Sequence, residues 1–299
     1  MMSPVFLGLK EKFPGYDIHL ITDSGYIDGA LIEMARRNPY IDVIHDIPLL
    51  EATTTTTVLI QGLGDKAPSM GLHEHDVVLG AAGAIDLNNE CVMYEHSDNP
   101  AKHRTDIWCY KAGVKPSSCK PIYRTTKRER AWADEQWERC DWRGMRNIGV
   151  AMTAVAGSRA FSGRVTHDLL RALVDNGYHP ITVDVGMKVA EYDFICATTL
   201  EQTFALVEKL DGFISPDTGL LHIAGTMGVP LVGVFGSVPS AMRIKYYDKA
   251  VGIDTEMPCG GCWYNHVCET ATDPLEHYAC MKTVDVEGVV EAIKGLVPV

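Results

Sequence analysis

Apolar and polar positions along this chain alternate in a rhythm of short strands and helices, and the rhythm runs twice. In the first part, Val5 to Phe13 has helical spacing, Asp17 to Ile21 reads as a strand, Gly29 to Arg37 as a helix and Val58 to Gln61 as a strand. The tract Thr53 to Thr57 beside Val58-Leu-Ile reads as an extended edge segment rather than as low complexity. In the second part, a strand from Asn147 to Ala151 is followed by a helix over 166–176 that Gly177 ends, a strand over 180–184 and a helix over 199–210. Between the two parts, Thr126 to Arg139 reads as a polar helix with Trp132 and Trp137 on its inward face. The rhythm predicts an α/β fold made of two doubly wound halves.

The sharpest local pattern comes next. Phe213 to Ser215 is an apolar run stopped by Pro216, Leu220 to Met227 places apolar residues at helical spacing, and Gly228-Val-Pro230 punctuates before a second apolar run, Leu231 to Phe235. Two buried strands around one helix imply a parallel crossover. Ligands of such units sit at the carboxyl ends of the strands, where the unpaired N–H groups of the helix N-terminus attract phosphate. Asp217, Thr218, Gly219 and His222 fall at that place, and Gly219 lets a ligand approach the backbone. An isolated Asp-Thr-Gly would read equally well as a helix cap followed by a core histidine.

The surrounding residues decide between the two readings. Asp217-Thr-Gly-x-x-His222-x-Ala, followed by Gly228-x-Pro230 and Phe235-Gly236, resembles the C-terminal domain of the family-9 glycosyltransferases, typified by the ADP-heptose:lipopolysaccharide heptosyltransferases. Gly157-Ser158-Arg159 after the strand at Asn147 is similar to the family's Gly-x-Ser-Arg turn, and Leu7 to Pro14 with Asn38-Pro-Tyr40 is similar to its N-terminal domain. The resemblance implies the GT-B fold, two facing Rossmann-like domains: residues 1–143 on the acceptor side and 144–299 for the nucleotide sugar. It implies inverting transfer without a bound metal and with no catalytic cofactor, and the chain contains no Asp-x-Asp. Donor contacts carried over are Ser158, Arg159, Arg164, Asp217, Thr218, Gly219 and His222, with one arginine of the turn as the cation for the leaving diphosphate. Glu191 or Asp193 is a candidate for the ribose or base.

One part of the family's pattern is missing. There, a first strand and a Gly-Asp pair precede the Ser/Thr-Pro of the first helix, and that aspartate is a candidate base for the acceptor hydroxyl. This sequence opens Met1-Met2-Ser3-Pro4, so the N-terminal domain is expected without its usual first strand. A hydroxyl nucleophile needs a group to accept its proton, and Asp23, after the strand at 17–21, is the positional candidate. Asp23 before Ser24-Gly25 reads also as an ordinary turn residue.

Composition narrows the classes. With 46% hydrophobic residues, 22% charged and no apolar run near 18 residues, the expectation is a two-domain globular enzyme without a membrane span, in the cytoplasm or peripheral to the inner membrane. A net charge of −12 disfavours general nucleic-acid binding without excluding it. Residues 101–146, however, carry 12 Lys/Arg against 6 Asp/Glu, which suits a phosphorylated acceptor or a solvated helix face. Of nine cysteines, four form Cys259-x2-Cys262-x5-Cys268-x11-Cys280. That spacing is compatible with a structural zinc, His266 or His277 being able to replace a cysteine, with disulfides, or with free thiols. The expected partners are a nucleoside diphosphate sugar, ADP-heptose among the candidates, and a hydroxyl-bearing glycan or lipid-linked saccharide. A transferase acting on another acceptor, such as a modified DNA base, a protein or a metabolite, is the alternative within the class. An inactive sugar-nucleotide-binding protein is the alternative outside it.

Overall fold

The structure is a computed structural model that describes residues 3–22, 30–46, 57–60, 84–86, 102–154, 159–183, 189–195, 199–262 and 279–299. It divides into two compact units, Met1–Arg124 and Thr125–Val299.

In the first unit, helix α1 (Ser3–Lys12) leads into strand β1 (Ile18–Thr22), then helix α2 (Ala30–Arg36) and strand β2 (Val43–Asp46). β1 and β2 pair in parallel, as a strand–helix–strand crossover requires. Strands β3 (Thr57–Ile60) and β4 (Ala84–Asp86) extend the sheet in the order β2-β1-β3-β4, and both pair antiparallel with their neighbours. Helix α3 (Arg104–Lys111) packs on α1, and Val5, Leu9, Ile18, Ile107 and Trp108 form the apolar centre of the unit. Burial pushes the Cys109 thiol up to about 12, so it packs there as a small apolar side chain.

The second unit opens with helix α4 (Lys127–Arg139), held at its start by a capping box between Thr126 and Glu129. Sequence alone places the domain boundary after this helix; contacts group it with the second unit, because Ala133 and Trp137 pack into that unit's core and Trp132 lies partly buried against it. There follow β5 (Asn147–Val150), α5 (Gly163–Asp175), β6 (His179–Thr182), β7 (Asp193–Phe194) and α6 (Leu200–Val207). After them come β8 (Gly212–Pro216), α7 (Gly219–Met227), β9 (Leu231–Phe235), the short α8 (Ala241–Ile244), β10 (Ala250–Asp254), α9 (Ala279–Lys282) and α10 (Val286–Leu296). The six strands form one sheet, in the order β10-β9-β8-β5-β6-β7, and every pair is parallel. Both faces are covered, one core lying around α4, α6 and α7 and the other around α5 and α10. β5, β8 and β9 are buried on both sides, which is why they read as continuous apolar runs. Among the described residues no helix is long and apolar enough to cross a membrane.

Candidate functional site

β5 and β8 lie side by side, but the chain leaves β5 toward β6 and leaves β8 toward β9, in opposite directions along the sheet. At such a reversal the connecting segments diverge and open a crevice beyond the carboxyl ends of the strands. Two segments meet there: the turn after β5, which carries Arg159, and the β8–α7 junction, which carries Asp217. Thr218 caps α7, its Oγ1 accepting from the Leu221 amide at 3.3 Å and sharing a hydrogen bond with Ser215 Oγ at 2.9 Å. This fixes the angle at which the helix leaves the strand. Gly219 is exposed, and a side chain added there would meet open space, so the first residue of the helix is open on that side.

Asp217 is 6% exposed and is ringed by basic groups. Arg159 Nη1 donates to its carbonyl at 2.9 Å and lies 3.4 Å from Oδ2; Arg243 Nε donates to Oδ2 at 3.3 Å; His222 Nε2 lies 3.5 Å from Oδ1. Burial alone would raise the carboxyl's pKa. The His222 hydrogen bond and the Arg243 and Arg159 charges outweigh it and hold Asp217 far below the usual carboxylate range. His222 shifts downward because burial disfavours its charge more than Asp217 favours it, so at neutral pH it is uncharged and acts on Asp217 through the hydrogen bond. Its Nδ1 lies 3.0 Å from the Tyr247 hydroxyl. Burial, and then the Asp217 charge, raises the Tyr247 phenol, which stays protonated and donates to Nδ1 while Nε2–H faces Asp217. Both ring nitrogens of His222 are thereby engaged.

The two arginines proposed from the sequence as diphosphate cations have different surroundings. Arg159 joins Asp217, and its Nε is buried without a hydrogen-bond partner among the described residues. Arg164 stands on the outer face of α5, 89% exposed, beside Asp168 at 3.5 Å. Asp193 is tied to the Trp142 indole at 2.7 Å and to His179 at 3.0 Å. Glu191 is exposed in the turn before β7. Ser158 and Asp23 lie outside the described residues. Of the cysteine cluster, Cys259, Cys262 and Cys280 are described as free thiols, and Cys268, His266 and His277 fall outside. Among the described residues, no group of three or more His, Cys, Asp or Glu comes together in a way that would hold a metal. Arg243 and Tyr247 escaped the sequence reading. The one signal for Arg243 is a charged residue between Met242 and Ile244, both of which are buried.

The fold and the Asp217 junction define a class. Residues 183–267, which span β8, α7, β9 and the whole of that junction, match the family model of glycosyltransferase family 9 (heptosyltransferase). That segment is the part of the chain that carries the family's pattern, and the fold is the α/β class with a parallel sheet that the resemblance implied. Among solved structures, it is similar to Escherichia coli ADP-heptose lps heptosyltransferase II, with a TM-score of 0.65 and 14% identity over 99% of this chain and 94% of that one. The glycosyl transferase family 9 structure from Veillonella parvula DSM 2008 gives 0.64 and 14% over 99% and 92%. E. coli heptosyltransferase WaaC with ADP gives 0.57 and 11% over 98% and 94%. At these identities the likeness carries the fold. No curated protein sequence matches the chain.

Proposed function

We propose that this chain is an inverting glycosyltransferase that moves a sugar from a nucleoside diphosphate to a hydroxyl acceptor without help from a bound metal. One observation supports this most strongly: a buried, ionised aspartate at the switch point of a parallel sheet, ringed by two arginines and a histidine, beside an uncovered helix N-terminus. In this reading the first amides of α7, at the open Gly219 end, meet the diphosphate, and Arg159 supplies the cation that stabilises the leaving group as its charge grows. Asp217 is left as an acceptor for a hydroxyl of the sugar to be transferred, a group that ADP itself lacks, with Thr218 and His222 holding it in place. Arg164 would have to leave its solvent-facing pair with Asp168 to take part, so we assign the cation's role to Arg159. Asp23 follows directly on the carboxyl end of β1 and is our candidate base. Residues toward the N-terminus would serve the acceptor and residues from the second unit the donor.

ADP-heptose is the first donor to test, since similar structures include an ADP-heptose heptosyltransferase and a heptosyltransferase with ADP. A saccharide acceptor, such as a lipopolysaccharide precursor, is the matching proposal. A thermal-shift screen of ADP, UDP, GDP and CDP and their sugars tests the reading. At about 100 times its dissociation constant a bound donor stabilises the fold by about 2.7 kcal/mol. The account expects at least one of the eight to raise the melting temperature; failure of all of them would reject donor binding. Binding with no transfer to any acceptor would favour an inactive sugar-nucleotide-binding protein. For Cys259, Cys262, Cys268 and Cys280 we propose a structural zinc, which elemental analysis of the purified chain should find at about one equivalent; no zinc or iron would reject it.

A further inference from the structure

Two guanidinium groups meet on the same carboxylate oxygen, Asp217 Oδ2, but they are held differently. Arg243 is 4% exposed and sits on α8 between two buried apolar residues, where its position is set by the core. Arg159 has a side chain 29% exposed, stands in the turn after β5 at the crevice, and keeps a buried Nε without a partner among the described residues. Its firm contact, at 2.9 Å, is to the Asp217 carbonyl; its 3.4 Å approach to the carboxylate is long beside the 2.7–2.9 Å typical of charge-assisted hydrogen bonds. The groups facing the carboxylate are Arg159 from the turn after β5, His222 from α7 and Arg243 from α8, with Tyr247 fixing His222 from beyond α8.

We propose that Arg243 is a positioning residue: by occupying the Asp217 carboxylate it keeps Arg159 from being captured there and leaves Arg159 available to an incoming diphosphate. The inference rests on the donor-binding reading above. A carboxylate already engaged by one buried guanidinium attracts a second less strongly. Without Arg243, the same oxygen draws Arg159 in as its only guanidinium, and the site loses its cation although no ligand contact was removed. Arg243 then acts on the ligand entirely through Asp217. Deleting the Asp217 charge must therefore undo the loss of Arg243, which a purely structural arginine would not allow.

The test uses the full chain as wild type, Arg243→Met, Asp217→Asn and the double variant, with two readouts. The first is ADP affinity by titration calorimetry. The second, taken without nucleotide, is the rate at which phenylglyoxal modifies Arg159, followed by peptide mapping. Arg243→Met should weaken ADP binding about tenfold and slow the Arg159 modification by a similar factor, the scale of a lost charge interaction. Asp217→Asn alone should speed the modification, and the double variant should return both readouts to within about threefold of wild type. If Asp217→Asn fails to restore ADP affinity in the Arg243→Met background, or if the Arg159 rate ignores both substitutions, the proposal is wrong. Should the wild type bind no ADP, the donor reading fails by itself, and the order of Arg159 rates still decides this inference. Should Arg243→Met not fold, Arg243→Lys keeps the charge while losing the planar fork, and Asp217→Asn must still speed the modification of Arg159; an unchanged rate would overturn the proposal.

Discussion

At the scale of single residues, the chemistry turns on a histidine kept neutral. His222 is 17% exposed, burial lowers its pKa, and its two nitrogens are committed to Asp217 and Tyr247. A histidine depressed in the fold and ordinary, near 6.5, in the unfolded chain stabilises fully above that value. Stability is lost as pH falls below it, because the unfolded chain takes up a proton that the folded one resists. Asp217 is also depressed, from an ordinary 3.8, so its loss begins only at more acid pH and the two windows separate. The melting temperature should therefore fall as pH drops below about 6.5, and His222→Gln should flatten that part of the profile; an equal slope in both proteins would put the titrating group elsewhere. His222→Ala should lower turnover by about 10²-fold, the scale of losing one preorganised hydrogen-bonding group. Tyr247→Phe, which removes only the support of His222, should cost less. Unchanged turnover with a lower melting temperature would make His222 a core histidine and nothing more.

At the scale of elements, α7 does the positioning, and its packing is tight where it meets Tyr247. A Cβ on Gly225 would stand 2.5 Å from the Tyr247 ring, so Gly225→Ala must push the ring away or shift the helix. The expected cost is about 1–3 kcal/mol, measured by denaturant unfolding, together with weakened ADP binding as His222 loses its tyrosine. Stability and binding both unchanged would mean that the ring moves freely and does not hold His222. α7 also explains what could be read from sequence. Its apolar spacing and Gly228 at φ +79°, where a left-handed turn ends the helix, are local signals, and both were legible, whereas the cap is Thr218 and not the neighbouring Asp217. β5, β6, β8 and β9 were legible for a similar reason, since burial makes apolar runs, whereas the half-exposed edge strands β7 and β10 were not read. Arg243 and Tyr247 were not. They reach Asp217 and His222 from 26 and 25 residues away, through a four-residue helix too short to leave a periodic pattern. The strand at β3 was legible but its antiparallel direction was not, because strand direction depends on the connection and not on the strand; β4 was not read.

At the scale of the molecule, among the described residues the second unit carries the parallel sheet, its switch point and the groups that surround Asp217, so donor binding should depend on residues of that unit. The matched family segment lies wholly within the same unit. The central claim is that the Asp217 junction binds a nucleoside diphosphate, with Arg159 as the cation that meets it. Titration calorimetry of the full chain with ADP, comparing wild type with Arg159→Ala in the presence of EDTA, tests that claim most directly. The account predicts one binding site that survives chelation and is weakened by about 10- to 100-fold in the variant, as expected for a charged hydrogen bond worth about 1.5–3 kcal/mol. Equal affinity in the two proteins, or no binding of ADP by the wild type, would contradict it.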